Sequence, residues 1–504
     1  MAIPLCCNVP LLFAQDAKTY YEEGNRYFGA GNYGEAIKSY DKVLKLNPGD
    51  NRAYILRGAS FAALSKYEDA ISSYDKAIEL NPKYALAYGK RGEAHAALGK
   101  NKQAVMDYSK AIDLNLKDIS LYAKRGAAYA ALGNYPEAIA DCDEAIRMNP
   151  GYFEAYINRG IAYYMSGNYQ EAIKSYDAAE KLKTDEPAVY LLRGAPSAAM
   201  GRYEEAVKDY DRAIALNPGY VEAYTNRGLV YSLSGNYLEA VKNFSKAIEL
   251  NPKDSITYGR RGETYEKLGK DNEAVKDYAK AVELKPGNAA MYLKLAKVYE
   301  RMGNYPDAIA NFQRVTDIDP DHLEAHYKGA LALFSSGQYA RSIEKFTTAI
   351  RIKPDFANAY YNRGIAYALM GDYSEAISNY GKAIELNPKD SASFARQGDA
   401  YLALRNYGAA LASYKRATEL DPKASDAYHN MGLAFAGTGN HSEAIKSFTV
   451  AIELNPQFVN SYYHRAISYR ELRREAEALN DYRAAARLGD QGAQTYLRSR
   501  RILW

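Results

Sequence analysis

Cysteine, tryptophan and unbalanced charge are what this sequence has least of, and each shortage narrows the reading. Three cysteines in 504 residues cannot build a disulfide framework. Lys and Arg number 65 against 61 Asp and Glu, a formal net charge of only +4. That balance gives no strong field for nucleic acid or acidic membranes. No basic stripe with interleaved aromatics appears either, so nucleic acid is not an expected partner. Catalytic signatures are also missing. There is no Gly-rich phosphate loop of the right spacing, no HExxH and no pair of CxxC motifs. The sequence therefore points away from an enzyme and from a bound metal or cofactor.

The first sixteen residues, MAIPLCCNVPLLFAQD, hold no Lys or Arg and no charge before Asp16. They are shorter than the roughly twenty apolar residues of a membrane span, so no integral membrane segment is expected. They match the apolar core of a secretory signal ending near Leu12-Phe13-Ala14, but lack its basic leading segment. Three readings follow: an export signal placing the protein in the periplasm or cell envelope, a disordered leader on a cytoplasmic protein, or a lipid anchor through Cys6 or Cys7.

What the sequence has in abundance is repetition. Framed at residue 17 and stepped by 34, the same residue types return in fourteen copies across 17–492, without insertion or deletion. A fixed period in this range is the mark of a stacked repeat array. Position 4 of each copy is Tyr in twelve of fourteen, with His326 and Phe394 standing in. Position 8 is always Gly or Ala, position 20 is Ala except for Ser342, and position 24 is aromatic except for Cys142. Small residues at 8, 20 and 27 let helix backbones approach, and aromatics at 4, 11 and 24 fill the space between them. Positions 4, 8 and 11 share one helical face, as do 20, 24 and 27. Each copy thus predicts two antiparallel helices, roughly 2–14 and 18–30. Gly near position 15 breaks the first, and Asn-Pro at 31–32 ends the second. Pro196 falls inside a first helix beyond its first turn, where a kink or weak point is expected. Residues 493–504, AQTYLRSRRILW, predict a capping helix whose Tyr496, Leu497, Leu503 and Trp504 cover the last apolar face.

At these positions the chain resembles the tetratricopeptide repeat family, with Tyr in place of the usual Trp at position 4. The resemblance implies an all-α fold, a superhelical solenoid of antiparallel helix pairs whose inner groove is lined by first helices. It also implies ligand contacts at positions 2, 5, 6, 9, 12 and 13. In copies 2 to 4 these are mostly Ala; copy 5 adds Tyr164 and Met165. In copies 8 to 10 Arg260, Lys294 and Lys328 recur at position 6, Glu263 is set to face Lys297 at position 9, and Glu266 and Glu300 recur at position 12. A row of three cations could seat a carboxylate-bearing partner, or be a hydrated wall of paired charges. Asn158, Asn226, Asn362 and Asn430 at position 6 resemble the asparagine ladder of the O-linked N-acetylglucosamine transferases, broken here and without a transferase domain. Arg at position 7 in nine copies points between helices and predicts packing beside an Asp partner. His322 and His326 have a zinc-like spacing of four, but His326 replaces a packing Tyr.

The function expected is a non-enzymatic protein–protein interaction scaffold holding a protein or peptide segment in the groove. The alternative is a structural or targeting subunit of a larger enzyme or envelope assembly. An apolar pocket with convergent polar groups would favour a small-ligand binder instead.

Overall fold

The structure, a computed structural model, describes residues 9–504. Cys6, Cys7 and the first half of the leader lie outside them. From Val9 the chain is helical and runs into the first copy as one helix, Val9–Gly29. Among the described residues no helix is long and apolar enough to cross a membrane.

Each later copy is a thirteen-residue first helix followed by a second helix of thirteen or fourteen residues, as in Asn51–Ala63 with Tyr67–Leu80. The array divides into two compact units, Met1–Pro252 and Lys253–Trp504, each an all-α solenoid of antiparallel helix pairs. Within each unit, successive first helices approach one another more closely than successive second helices do. First helices therefore line the inner curve and second helices the outer one.

The repeated glycine at position 8 has a specific cause. A Cβ added at Gly58 would lie 2.5 Å from the Tyr74 ring, and at Gly432 2.6 Å from Phe448. The aromatic at position 24 thus occupies the volume that a side chain at position 8 would need. Gly58→Val is expected to destabilise by about 1–3 kcal/mol through overpacking, read as a lowered urea midpoint. Cys142 takes the ring's place in copy 4 and is fully buried. Burial pushes its thiol up to about 12, with Asp141 and Asp143 adding to the rise, which leaves it inert as a nucleophile at neutral pH.

Departures from the pattern have local causes. The turn between paired helices passes through positive φ, as at Gly133 (82°); Ser65, Arg405 and Arg473 adopt 58° there without being glycine. In copy 3 Leu116 stands where eleven other copies have Pro. Its N–H bonds the Ala111 carbonyl at 3.1 Å, a bond proline cannot make, and Asn115 turns left-handed at φ 63°. The second helix of that copy accordingly ends at Asp113, one residue short of its counterparts. Pro196 does not end its helix: Pro187–Ala199 keeps the thirteen residues of its neighbours. The proline lacks the N–H that would bond the Leu192 carbonyl, and the helix continues past it.

Beyond copy 14, Asp490 caps a short helix, Gln491–Ser499, by accepting from Ala493 N at 2.6 Å. Ala493 and Leu497 are buried with Ala466 and Tyr482, and Tyr496, Ile502 and Trp504 pack on the same cluster. Leu503, expected among the covering residues, is 89% exposed, and Ile502 takes its place.

Candidate functional site on the inner face

The arginines of position 7 are heavily bonded on both sides. Arg91 grips both oxygens of Asp107, sixteen residues ahead (3.0 and 2.6 Å), and reaches Asp75, sixteen behind (2.5 Å). Arg125 does the same with Asp141 and Ser109, Arg227 with Asn243 and Asp211, and Arg465 with Asp481 and Thr449. Each guanidinium also lies against the position-4 tyrosine of its own helix, 5.4 Å from the ring centre for Arg91 over Tyr88. These arginines join one copy to the preceding one, as their position between helices implied, and are not free to recognise a ligand.

The position-4 ring has a second duty. Tyr88 and Tyr156 donate to the carbonyl of the Pro six residues earlier, at 3.3 and 3.1 Å. His326 makes the same contact, Nε2 to the Pro320 carbonyl at 2.9 Å, and burial lowers its pKa. His322 instead caps its helix by accepting from Ala325 N. Both histidines are accounted for by packing and capping. Among the described residues no group of three His, Cys, Asp or Glu is placed to hold a metal.

In the first unit the inner face carries a three-membered charge network. Lys90 and Lys124 reach Glu93 at 2.9 and 2.6 Å. Burial would push the Glu93 carboxyl up, but the two ammonium groups more than offset this and hold it below its usual value. Asn158 donates to the Ala123 carbonyl at 3.0 Å. Asn226 holds the equivalent place two copies later and is half-buried. Tyr164 packs against Tyr169, and Met165 beside it is 56% exposed.

In the second unit the cation row is largely neutralised. Lys294 pairs with Glu263 at 3.0 Å, Lys328 with Glu300 at 3.4 Å, and Lys297 with Glu324 at 2.6 Å. Glu263 is therefore joined by Lys294 and not by Lys297 as the sequence suggested. Tilting of successive first helices brings position 6 of one copy against position 9 of the copy before it. Glu266 binds Arg301 at 3.0 Å and accepts from the Tyr278 hydroxyl at 2.5 Å. Of the three cations, Arg260 alone keeps a buried Nη1 without a hydrogen-bond partner among the described residues. Asn362 donates to the Tyr327 hydroxyl at 3.1 Å, and Asn430 to Asp399 at 2.9 Å. Three of the four ladder asparagines thus already spend an amide hydrogen within the chain.

An inner-face cleft of about 670 Å³ lies in copies 11 to 14. Tyr361, Arg396, Asp399, His429, Asn430 and Phe458 line it. Asp399 organises it: the carboxylate accepts from Tyr414 (2.8 Å) and Asn430 (2.9 Å) and pairs with Arg396 (3.2 Å). His429 bonds Ser461 Oγ at 2.9 Å and stacks near Phe458, ring centres 4.7 Å apart. Sequence reasoning named only Asn430 here. The small residues Ala392 and Ala395, at positions 2 and 5, open the cleft; they were legible but looked like the smooth alanine wall of copies 2 to 4.

Tetratricopeptide repeat models match residues 21–85, 123–187, 395–457 and 429–493, 221–254 and 357–390, 243–276 and 289–322. A TPR repeat model matches 92–133, 198–235, 262–303 and 330–371. Among solved structures, the APC/C hetero-tetramer Cut9-Hcn1 is 15% identical over 96% of both chains, with a TM-score of 0.40. A tetratricopeptide repeat protein from Parabacteroides merdae is 20% identical over 50% of this chain and 99% of its own, TM-score 0.43. YrrB, described as a TPR protein with an unusual peptide-binding site, is 23% identical over 37% of this chain and 96% of its own, TM-score 0.33. No curated protein matches the sequence. Helix pairs recurring in copy after copy, with family matches distributed from residue 21 to 493, establish that the chain belongs to the tetratricopeptide repeat family.

Proposed function

We propose that the protein is a non-catalytic scaffold that holds extended polypeptide segments on its inner face, with the cleft of copies 11 to 14 as the principal seat. Repeats of this family serve protein–protein interaction, and the observation that carries the finer reading is the cleft itself. It combines the aromatic walls Tyr361 and Phe458 with Arg396, Asp399 and Asn430, which can bond a peptide backbone or an acidic side chain. Arg260, Lys294, Lys297, Lys328 and Glu263 form a secondary, largely self-paired segment of the same surface. Within it Arg260 keeps one buried nitrogen without a hydrogen-bond partner among the described residues. The terminal helix Gln491–Ser499 is read as a cap on the array and not as part of the seat.

A displayed random-peptide library panned on the full chain tests this. Enriched peptides are expected to lose at least about tenfold in affinity on Arg396→Glu with Asn430→Leu, as when a charged bond is removed from a binding centre. Arg260→Glu with Lys294→Glu is expected to have a smaller effect. Enrichment of nothing, or of peptides indifferent to both pairs of changes, overturns the reading. In that case attachment by the outer face or the ends, as a structural subunit of a larger assembly, takes its place.

A further inference from the structure

The position-7 arginine fills the seam between successive second helices, and the copies that lack it show what happens otherwise. Copy 9 buries Leu295 there. In copy 10, where position 7 is Gly329, Lys345 extends from position 23 to Gln313 at 2.6 Å and leaves only about 10 Å³ open. In copy 12 Gln397 accepts from Ser413 at 3.2 Å. Copy 13 has no such remedy. Its position 7 is Met431 and its position 23 is Ser447, whose hydroxyl bonds back to the Glu443 carbonyl at 3.0 Å.

A pocket of about 440 Å³ remains at that seam, on the outer face and lined by residues other than those of the inner-face cleft. Leu411, Tyr428, Met431, Phe435 and Val450 make its walls apolar. Val450 itself breaks the pattern, since copies 1, 2, 3, 7, 8 and 11 place lysine there (Lys42, Lys76, Lys110, Lys246, Lys280, Lys382). The polar groups at the edge are Glu443, Lys446 and Lys415. Lys446 is satisfied by Glu443 at 2.6 Å. Lys415 is exposed and has no carboxylate partner among the described residues. Volume, apolar lining and one or two convergent polar groups are the ordinary features of a small-ligand site. The charge left over is positive, so the complementary headgroup is an anion.

We propose that this outer seam of copies 12 and 13 binds a small amphiphilic carboxylate, its apolar tail against Met431, Phe435 and Val450 and its headgroup at Lys415. The site is independent of the groove and of the peptide reading above.

Decanoate titrated into the full chain in a calorimeter is the probe. One saturable site is expected, with decanol binding about three- to fivefold more weakly, the contribution of an exposed ion pair. Met431→Arg with Lys415→Asp recreates the trio of copies 2 and 5, where Arg57 meets Ser73 (3.2 Å) and Asp41 (2.8 Å) and Arg159 meets Ser175 (3.2 Å) and Asp143 (2.6 Å). This variant is expected to melt no lower than the parent and to lose decanoate binding. Should it fail to fold, Met431→Trp, which fills the same volume, is expected to abolish binding alone. Lys415→Gln keeps the pocket and is expected to remove the preference for decanoate over decanol. Absence of a saturable site, binding undiminished by filling the pocket, or a carboxylate preference unchanged in Lys415→Gln would each overturn the proposal.

Discussion

Arg193→Met is expected to cost about 3–5 kcal/mol of stability at pH 7, because it strands a buried carboxylate while keeping an apolar stem of similar reach. Arg193 meets Asp209 through Nη2 at 2.7 Å and Nε at 3.1 Å, Asp177 at 2.8 Å, and Glu180. Two of those partners belong to the preceding copy, so the loss falls on an interface as well as a side chain. Burial lifts the Asp209 carboxyl above its ordinary value, Arg193 opposes the rise, and Glu180 and Asp177 add to it. Without the arginine only the raising influences remain. A carboxyl whose pKa is higher folded than unfolded takes up its proton more readily in the folded chain. The deficit of the variant should therefore be largest above the carboxylate range and shrink as pH falls into it. Adding Asp209→Asn should recover part of the loss at pH 7, since Asn243 already serves as the partner of Arg227 in the next copy. Urea unfolding at pH 7 and pH 4 checks all three statements; a loss that is the same at both pH values would show that packing alone matters here.

The second large effect concerns acid. His429, 6% exposed in the cleft, has its pKa pushed down to about 4 by burial, with His464 beside it contributing in the same direction. Its unfolded value is about 6.5. Between those values the unfolded chain binds the proton and the folded chain does not. The stabilising contribution is therefore complete above pH 6.5 and lost as pH falls toward 4, for a total of about 3 kcal/mol. His464 is buried nearby and also lowered, so it titrates in the same sense. Tyr occupies the His429 position in copies 1, 10, 11 and 14 (Tyr21, Tyr327, Tyr361, Tyr463). His429→Tyr should accordingly fit and should flatten the acid limb of the stability profile. An unchanged difference between pH 7 and pH 5 in that variant would remove His429 as the cause.

The fold was legible because every copy must solve one packing problem with the same parts. Gly58 and Tyr74 occupy a single volume between them, so neither changes freely, and the period survives in the sequence. The arginines of position 7 were legible for a related reason: a cation recurring on a face turned inward implies a recurring counter-charge. The inner face was harder. Like positions in adjacent copies do not meet; position 9 meets position 6 of the following copy, as in Glu93 with Lys124 and Asp399 with Asn430. That offset comes from helix tilt, which no residue encodes by itself. It turned an apparent row of free cations into paired ones. The cleft around Asp399 was hidden because alanines at its mouth read the same whether the wall behind them is flat or hollow.

The arginine that reaches sixteen residues forward and sixteen back also fixes how such a chain can change in length. One reach crosses the bend inside a copy, the other the bend between copies, so both bends are measured by the same side chain. A single residue added to either would swing Asp107 or Asp75 about 100° away from Arg91, one helical step. Growth or shortening by whole modules leaves every such reach intact. The array is therefore quantised, and the place to lengthen or trim it by design is at a module boundary, in steps of a full repeat.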